Sequence, residues 1–370
     1  MRIGVPKEIK LQEYRIGLTP ESVKVLTGKG HEVLVENNGG FEAGFTNEDY
    51  KNAGAKIIDK AADIFKDSDL IVKVKEPQSS EVKMIRENQI IYTYLHLAAA
   101  KELTEGLIKS KSVCIAYETV TDDNGHLPLL APMSAVAGRM SVQAGAHSLE
   151  KTQKGRGLLL GGAPGVDSAT VVILGGGVVG ENAALIATGM RANVFIIDKS
   201  PERLKQLQEI FGDKIKPIRS DKAELKKLII DCDLLIGGVL IPGAEAPKLV
   251  TRDMVKSMKR GSVIVDVAID QGGCVETSRP TTHDNPTYLV DDVVHYCVAN
   301  MPGGVPRTST FALNKATLPL LVKIADQGYE KTLKENKNYL AGLNVFKGAI
   351  TCKGVADAFK LKYTPADKAL

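Results

Sequence analysis

Short apolar segments alternate with amphipathic stretches along most of the chain. The first apolar run covers residues 3–5, and a predicted helix follows with Thr19 as its N-cap and Pro20 in its first turn. Strand-like runs rich in β-branched or aromatic residues then lie at 31–36, 69–75, 89–96 and 112–120. This alternation is typical of repeated β-α units that build a parallel sheet.

The pattern changes at two places, and these changes predict the domain organisation. Residues 121–132 form a polar turn with two prolines, before a small-residue helix predicted from about 133 to 151. A second series of β-α units then runs from residue 170 to about 305. Residues 308–370 are predicted to be largely helical, without obvious strands, and to pack back on the first domain, because they are too few for a core of their own. The sequence therefore predicts an α/β protein with two doubly wound, Rossmann-like domains separated by a cleft.

The second series opens with a glycine motif between a strand and a helix. The apolar run at 170–174 leads into Gly175, Gly177 and Gly180, spaced as G-x-G-x-x-G. In a dinucleotide site these glycines allow a tight turn, close approach of a pyrophosphate and close packing of helix on strand. Asp198 ends the next strand, where a carboxylate would accept hydrogen bonds from a ribose and favour NAD over NADP, although nearby Arg203 weakens that preference. The alternative is a glycine cluster that merely turns a strand into a helix.

Polar residues close several of the apolar runs, where ligands of open α/β sheets bind. Lys75, His96 and Asp270 each end such a run, and Asn300 follows another. Each residue alone could be structural: Lys75 a solvated strand end, His96 a histidine with its hydrogen bonds satisfied, and Asp270 the cap of a turn. Together they offer a cation for a carboxylate, a group that titrates near neutrality and an anion, with Arg15 as a second carboxylate contact. This set indicates oxidation of an amino acid.

Composition narrows the class of protein further. The formal net charge of +4 is spread over scattered basic and acidic residues, which argues against a nucleic-acid partner. The five cysteines are odd in number and far apart, so neither a disulfide framework nor a zinc site is expected, and no metal is predicted. No apolar segment suits a signal peptide or approaches the roughly 20 residues of a membrane span. We expect a cytoplasmic protein without a membrane partner.

Several longer blocks carry a resemblance to a known family. They are MRIGVPKEIKLQEYRIGLTP (1–20), KVKEP (73–77), LHLAA (95–99), IAYETV (115–120), LPLLAPMS (127–134), VLIPGAEAPKLV (239–250), AIDQGGCVETSRPTTHDNPTY (268–288) and YCVANMPGGVPRTST (296–310). In these blocks the sequence resembles bacterial alanine dehydrogenases, from residue 1 into the carboxyl-terminal region.

The resemblance implies a reversible, NAD-dependent oxidative deamination of L-alanine to pyruvate and ammonium, by hydride transfer and iminium hydrolysis. It implies that Arg15 and Lys75 bind the substrate carboxylate and that His96 and Asp270 are the catalytic pair. It also implies NAD contacts at Ser134, Val178, Val179, Asp198, Arg203, Ser220, Val239, Leu240, Val267, Ala268, Ile269, Asp270, Arg279, Val298, Ala299, Asn300 and Met301.

The family also implies how the domains are connected. An NAD-binding domain at 128–307 would be inserted into a substrate domain made of 1–127 and 308–370. Members of the family commonly assemble as homohexamers.

Two other functions stay open at the level of sequence. The NAD-binding subunit of a proton-translocating transhydrogenase has a similar amino-terminal block and a similar LIPG-x-APKLV segment. Lys75, His96 and the AIDQGG stretch fit an amino-acid site instead. The absence of a following hydrophobic anchor also argues against a transhydrogenase subunit. The other alternative is a non-catalytic NAD-binding protein, against which the intact set of polar residues argues. Activity with glycine or other small amino acids is compatible with the sequence, because one methyl group discriminates by only about 1 to 3 kcal/mol.

Overall fold

A computed structural model of the protein describes residues 1–239 and 246–370. The chain divides into two compact units, the first made of Met1–Met133 and Gly303–Leu370 and the second of Ser134–Pro302. Each unit is built on a largely parallel sheet with helices, which confirms the predicted α/β class and the two Rossmann-like folds. The assignment of substrate binding to 1–127 and 308–370, and of NAD binding to 128–307, stays a prediction.

The first unit contains an eight-stranded sheet within the described residues. Its strands are β1 (Arg2–Val5), β2 (Glu32–Glu36), β3 (Lys56–Ile58), β4 (Leu70–Val72), β5 (Ile90–Thr93), β6 (Val113–Ala116), β14 (Leu343–Phe346) and β15 (Ala349–Ile350). Their order is β15-β14-β6-β5-β4-β1-β2-β3, and the six strands from β6 to β3 are parallel. The chain moves from β1 outward to β3 and then returns to the other side at β4. The switch point of the sheet therefore lies between β1 and β4, where ligands of such folds bind.

The strands β14 and β15 correct the expectation that residues 308–370 contain no strands. β14 pairs antiparallel with β6, and β15 pairs with β14 through a hairpin in which Lys347 and Gly348 have positive φ angles of 48° and 93°. A run of four residues beside a tight turn carries too little periodicity to be recognised locally. Pairing with a strand more than 200 residues earlier decides its conformation. The region does belong to the first unit.

The helices follow the strands as the alternating pattern predicted. Those of the first unit are α1 (Pro20–Gly28), α2 (Asn47–Asn52), α3 (Ala61–Asp67), α4 (Ser79–Val82), α5 (Lys101–Ser110), α11 (Pro306–Gln327), α12 (Tyr329–Lys334), α13 (Lys337–Leu340), α14 (Lys353–Phe359) and α15 (Ala366–Ala369). Thr19 is the N-cap of α1, with its hydroxyl accepting the N–H of Ser22, and Pro20 occupies the first turn, as predicted. The predicted helix at 133–151 is α6 (Ala131–Ser148), which continues from the first unit into the second.

The second unit contains a seven-stranded sheet within the described residues. Its strands are β7 (Thr170–Leu174), β8 (Asn193–Asp198), β9 (Ile215–Arg219), β10 (Leu234–Gly237), β11 (Val263–Asp266), β12 (Thr287–Val290) and β13 (Val293–Tyr296). Its further helices are α7 (Val178–Gly189), α8 (Pro201–Phe211), α9 (Lys222–Asp231) and α10 (Arg252–Ser257). The order is β12-β13-β11-β10-β7-β8-β9, with only β12 antiparallel, so the switch point lies between β7 and β10.

Both faces of the second sheet are covered by apolar side chains. Along β7, Val171 and Ile173 belong to one buried cluster and Val172 and Leu174 to another. This alternation is the two-residue period of a strand with a core on each side. Among residues 1–239 and 246–370, no helix combines the length and the apolar character that a membrane crossing requires.

Candidate active site

The glycine motif lies at the switch point of the second sheet, between the end of β7 and the start of α7. Gly175 has a φ of 94°, and a Cβ on Gly180 would lie 1.8 Å from the carbonyl oxygen of Gly175, so both positions require glycine. A Cβ on Gly177, the N-cap of α7, would meet nothing within 4 Å of the described chain. No described side chain caps α7, so its first N–H groups and its dipole can serve a phosphate. These residues fit a dinucleotide.

Asp198, at the end of β8, and Arg203, in the first turn of α8, hold the glycine turn. Asp198 Oδ2 accepts the N–H of Gly176 at 2.6 Å, and Arg203 Nε donates to the carbonyl oxygen of the same glycine at 2.7 Å. Arg203 also forms an ion pair with Glu181. The carboxylate predicted to bind a ribose therefore also fixes the conformation of the loop that would bind the phosphates.

The other residues predicted to contact NAD are spread over the carboxyl ends of the strands of this unit. Ser220 follows β9, Val239 follows β10, the 3-10 helix Val267–Gln271 follows β11, and residues 298–301 follow β13. Leu240 lies outside the described residues. Ser134 lies on α6, at the point where the chain enters this unit.

Arg279 is an exposed predicted NAD contact that is supported by an aromatic stack. Its guanidinium carbon lies 4.2 Å from the ring centroid of Tyr288, a cation–π distance, and the backbone N–H of Arg279 donates to the Tyr288 hydroxyl. Tyr288 in turn stacks on the buried ring of His295, at 5.1 Å between ring centroids. The orientation of Arg279 is thus set by two residues in the hairpin of β12 and β13.

Asp270 lies four residues beyond the end of β11, in a 3-10 helix and not at the end of the strand as predicted. Its Oδ1 accepts the N–H of Asn300 at 3.2 Å, so two of the predicted residues meet. The loop that carries Asp270 is closed by Asp266, a fully buried carboxylate that accepts the N–H groups of Cys274 and Val275 at 3.0 and 3.2 Å. Asp266 is not among the residues predicted from the sequence, although an acid at the end of the apolar run VIVD was a signal.

Arg15 lies in the loop after β1 and is only 2% exposed. Glu13, also missed, holds it in a bidentate ion pair, with Nε–Oε1 and Nη2–Oε2 distances of 2.7 and 2.6 Å. Although burial alone lowers the pKa of the Arg15 guanidinium, the charge of Glu13 outweighs it and raises the pKa. Glu13 occupies the edge formed by Nε and Nη2. On the other side of the guanidinium, Nη1 lies 3.0 Å from the sulfur of Met133.

Lys75 is half-buried and follows β4, which ends at Val72 instead of extending to Lys75 as predicted. Its backbone N–H is directed at a carboxylate oxygen of Glu8, at 3.3 Å, and its carbonyl oxygen accepts the hydroxyl of Thr93 at 2.9 Å. The backbone of this lysine is therefore held by the loop after β1, which carries Glu8, and by the end of β5, which carries Thr93.

His96 lies three residues beyond the end of β5, with its side chain 46% exposed. Its backbone is left-handed, with φ 49° and ψ 40°, which is unfavourable for a residue with a Cβ. Glu118, after β6, accepts the N–H of His96 at 2.6 Å and that of Leu95 at 3.1 Å. The imidazole stacks on Tyr94, at 5.8 Å between ring centroids and 8° between planes. Glu118 is not among the residues predicted from the sequence, although its place in the apolar run IAYETV was a signal.

In the first unit, the candidate site residues thus follow strands that are neighbours in the sheet. Arg15 follows β1, Lys75 follows β4, His96 follows β5 and Glu118 follows β6, at the same edge of a parallel sheet. Two cations beside the switch point, with an imidazole after the next strand, can bind a small carboxylate and move a proton beside it. Within the described residues, no three histidine, cysteine or acidic side chains gather in a way that could hold a metal ion.

The sequence matches two family descriptions that together cover most of the chain. Residues 4–137 match "Alanine dehydrogenase/PNT, N-terminal domain", and residues 141–353 match "Alanine dehydrogenase/PNT, C-terminal domain". Alanine dehydrogenase of Halomonas elongata is 56% identical over 366 residues, which cover 99% of both chains. Alanine dehydrogenase of Staphylococcus epidermidis is 53% identical over the full length of both chains.

Solved structures show the same fold. An L-alanine dehydrogenase superposes with a TM-score of 0.94 at 52% identity, covering 97% of this chain and 99% of that one. A transhydrogenase from Sinorhizobium meliloti superposes with a TM-score of 0.83, covering 95% of this chain and 100% of that one, but at 24% identity it shows the fold alone. By the sequence match over both of its domains, the chain belongs to the alanine dehydrogenase/PNT family.

Proposed function

We propose that this protein is an NAD-dependent L-alanine dehydrogenase, which oxidises L-alanine to pyruvate and ammonium and also catalyses the reverse reaction. The observation that carries the proposal is that Arg15 and Lys75 follow β1 and β4, the strands on either side of the switch point of the first sheet, and that His96 follows the adjacent strand β5. The relatives named alanine dehydrogenase, 52–56% identical over the whole chain, support it.

The roles of the residues follow from their chemistry. Arg15 and Lys75 bind the carboxylate of L-alanine and so orient its Cα–H bond. NAD, when bound, supplies the acceptor for the hydride that leaves Cα. His96 then removes a proton from the water that attacks the resulting iminium carbon, while Asp270 orients the site and stabilises positive charge. Collapse of this adduct releases ammonium and leaves pyruvate.

The second unit supplies the residues for NAD. Gly175, Gly177 and Gly180 with the start of α7 bind the pyrophosphate, and Asp198 accepts hydrogen bonds from the ribose. A 2′-phosphate would meet the charge of Asp198, so NAD is preferred over NADP.

The first test follows absorbance at the NADH wavelength with purified protein, NAD and L-alanine. Parallel reactions contain D-alanine, glycine, L-serine, or NADP in place of NAD. We expect strong reduction with L-alanine and NAD alone. If no amino acid reduces NAD while NADH still binds, the proposal fails, and a transhydrogenase subunit or a non-catalytic NAD-binding protein becomes the better explanation.

Substitution of the catalytic pair tests the division of roles. His96→Ala and Asp270→Asn should abolish turnover while NADH binding, measured by its fluorescence, changes little. Loss of NADH binding in both variants would contradict these roles.

The finer parts of the proposal are a homohexamer and a role in L-alanine catabolism, which come from the family resemblance, and the cytoplasmic location expected from the sequence. Light scattering on the purified protein tests the assembly directly.

A further inference from the structure

A buried ion cluster lies beside Lys75 in the first unit. The ammonium of Lys73 is fully buried, with Glu8 Oε2 at 2.9 Å and Glu81 Oε1 at 2.8 Å. Burial alone lowers the pKa of Lys73, but the charges of Glu8 and Glu81 outweigh it and raise the pKa. The cluster of Glu8, Lys73 and Glu81 therefore holds two carboxylates for one ammonium.

The two carboxylates differ in what their second oxygen does. Glu8 Oε1 accepts the N–H of Val74 at 2.6 Å and that of Lys75 at 3.3 Å. Glu81 Oε2 accepts the N–H of Gln78 at 2.7 Å, at the start of α4. Glu8 thus accepts backbone hydrogen bonds from the segment that carries Lys75, whereas Glu81 accepts one at the N-cap of α4.

Glu8 completes the hydrogen bonding of the backbone between residues 73 and 75, beyond the end of β4. The carbonyl oxygens of residues 73, 74 and 75 accept from the Tyr117 hydroxyl, the Tyr94 N–H and the Thr93 hydroxyl. The N–H of Lys73 donates to Tyr92, which leaves two N–H groups, and both are directed at Glu8. Buried peptide groups need such partners, so this carboxylate fixes the backbone conformation of residues 73–75.

Stability alone does not explain the cluster. Buried ion pairs lose hydration on folding, and apolar replacements of similar volume are often neutral or stabilising. A cluster with an excess carboxylate is still less favourable, since burial raises the pKa of Glu8 against the opposing charge of Lys73. Its geometry fits a role in orienting the neighbouring lysine.

We propose that Glu8 is a positioning residue for Lys75: it fixes the peptide groups of residues 74 and 75 so that the Lys75 ammonium is directed at the substrate carboxylate. This inference rests on the proposed function. It concerns the orientation of Lys75 and assigns Glu8 no contact with the substrate.

The matched variants are Glu8→Leu and Glu81→Leu. Each leaves one carboxylate paired with Lys73, and each also removes an acceptor of backbone N–H groups, two after Glu8→Leu and one after Glu81→Leu, so the thermal midpoint should fall in both variants and further in Glu8→Leu. The readout is the Kd of pyruvate for the enzyme–NADH complex. It is measured by NADH fluorescence in the absence of ammonium, so that no turnover occurs. We expect Glu8→Leu to weaken pyruvate binding about tenfold, as loss of one hydrogen bond to a charged group does, and Glu81→Leu to change it less than about twofold on the same scale. Glu8→Gln keeps an acceptor oxygen and should recover part of the affinity.

A double-mutant cycle shows whether Glu8 acts through Lys75. In a Lys75→Met background, Glu8→Leu should have little further effect on the pyruvate Kd, because the side chain that it orients is gone. Equal effects of Glu8→Leu and Glu81→Leu, or a full Glu8 effect in the Lys75→Met background, would overturn the inference. If Glu8→Leu does not fold, the same cycle is run with Glu8→Gln.

The same measurements separate this inference from the proposed function. A wild-type protein that does not reduce NAD with L-alanine would refute the function. An active wild type with equivalent Glu8 and Glu81 variants would refute only the role of Glu8.

Discussion

At the scale of single residues, the chemistry-bearing side chains depend on carboxylates that make no predicted contact with substrate. Glu8 holds the peptide of Lys75, Glu13 the guanidinium of Arg15, Glu118 the peptide of His96, and Asp266 the loop of Asp270. Carboxylates accept several N–H bonds at once, and such charge-assisted bonds are stronger than neutral ones. Glu8, Glu118 and Asp266 therefore fix backbone segments that lie outside regular elements, and Glu13 fixes a side chain.

The left-handed conformation of His96 gives the clearest test of this arrangement. Glu118→Ala removes the acceptor of two N–H groups, and each hydrogen bond to a charged group contributes about 1.5 to 3 kcal/mol. We expect kcat/KM for L-alanine to fall roughly 10- to 100-fold, with NADH affinity unchanged and partial rescue in Glu118→Gln.

The control for this prediction is Glu150→Ala, which removes a carboxylate that lies 3.2 Å from an exposed histidine, His147. It should leave kcat/KM as it is. If Glu118→Ala keeps wild-type kcat/KM, Glu118 does not position the catalytic histidine.

His295 should make stability depend on pH. Burial lowers its pKa, against a hydrogen bond to the Val293 carbonyl that raises it. Below about pH 6.5 the unfolded chain takes up a proton that the folded protein resists, so stability is full above that pH and falls as the pH decreases toward the lowered pKa. The slope can reach about 1.4 kcal/mol per pH unit. Thermal unfolding between pH 7.5 and 5.5 should show a shallower loss for His295→Gln than for the wild type, and equal slopes would contradict the prediction.

At the scale of elements, the packing of α7 on β7 depends on the absence of a side chain at Gly180. A Cβ there would lie 1.8 Å from the carbonyl oxygen of Gly175, so the helix must move away from the strand and from the phosphate site. We expect Gly180→Ala to weaken NADH binding at least tenfold, by fluorescence titration, and to lower the thermal midpoint.

Gly189→Ala is the matched control on the same helix, because a Cβ at Gly189 meets nothing within 4 Å. Its free energy of unfolding should change by less than about 1 kcal/mol, in the stabilising direction, since alanine favours helix. Similar NADH binding in both variants would show that close packing at Gly180 is not required.

At the scale of the whole molecule, the end of the chain completes the sheet of the first unit. Truncation after Leu340 removes the buried side chains of Leu343, Val345, Phe346 and Ile350. Burial of four such side chains contributes roughly 6 to 12 kcal/mol, as much as the whole stability of a typical domain. We expect loss of alanine-dependent activity and of a cooperative transition for the first unit, with NADH binding retained, because the second unit has its own sheet and cores.

A truncation after Pro365 serves as the control, since it removes only α15 and the last residue. It should stay active. Full activity after the longer truncation would show that β14 and β15 do not support the site.

The sequence by itself determined the β-α rhythm, the class of the fold and the dinucleotide loop. Each of these depends on residues that are close together in the sequence: a period of two or 3.6 residues, a capping Thr19 before Pro20, or glycines at a fixed spacing. Lys75, His96 and Asp270 could also be picked out, because polar residues after apolar runs stand out locally, although the strands proved to end earlier than those runs.

Only the tertiary structure decided the partners of these residues and the conformation of the carboxyl-terminal strands. Glu8 meets Lys75 across 67 positions and Glu118 meets His96 across 22, and β14 pairs with β6 from the far end of the chain. Such contacts depend on the order of strands in the sheet, and no local period in the sequence encodes that order. Short motifs in the sequence therefore carry the chemistry, while the folded sheet brings Lys75 and His96 to Glu8 and Glu118, the carboxylates that accept their backbone N–H groups.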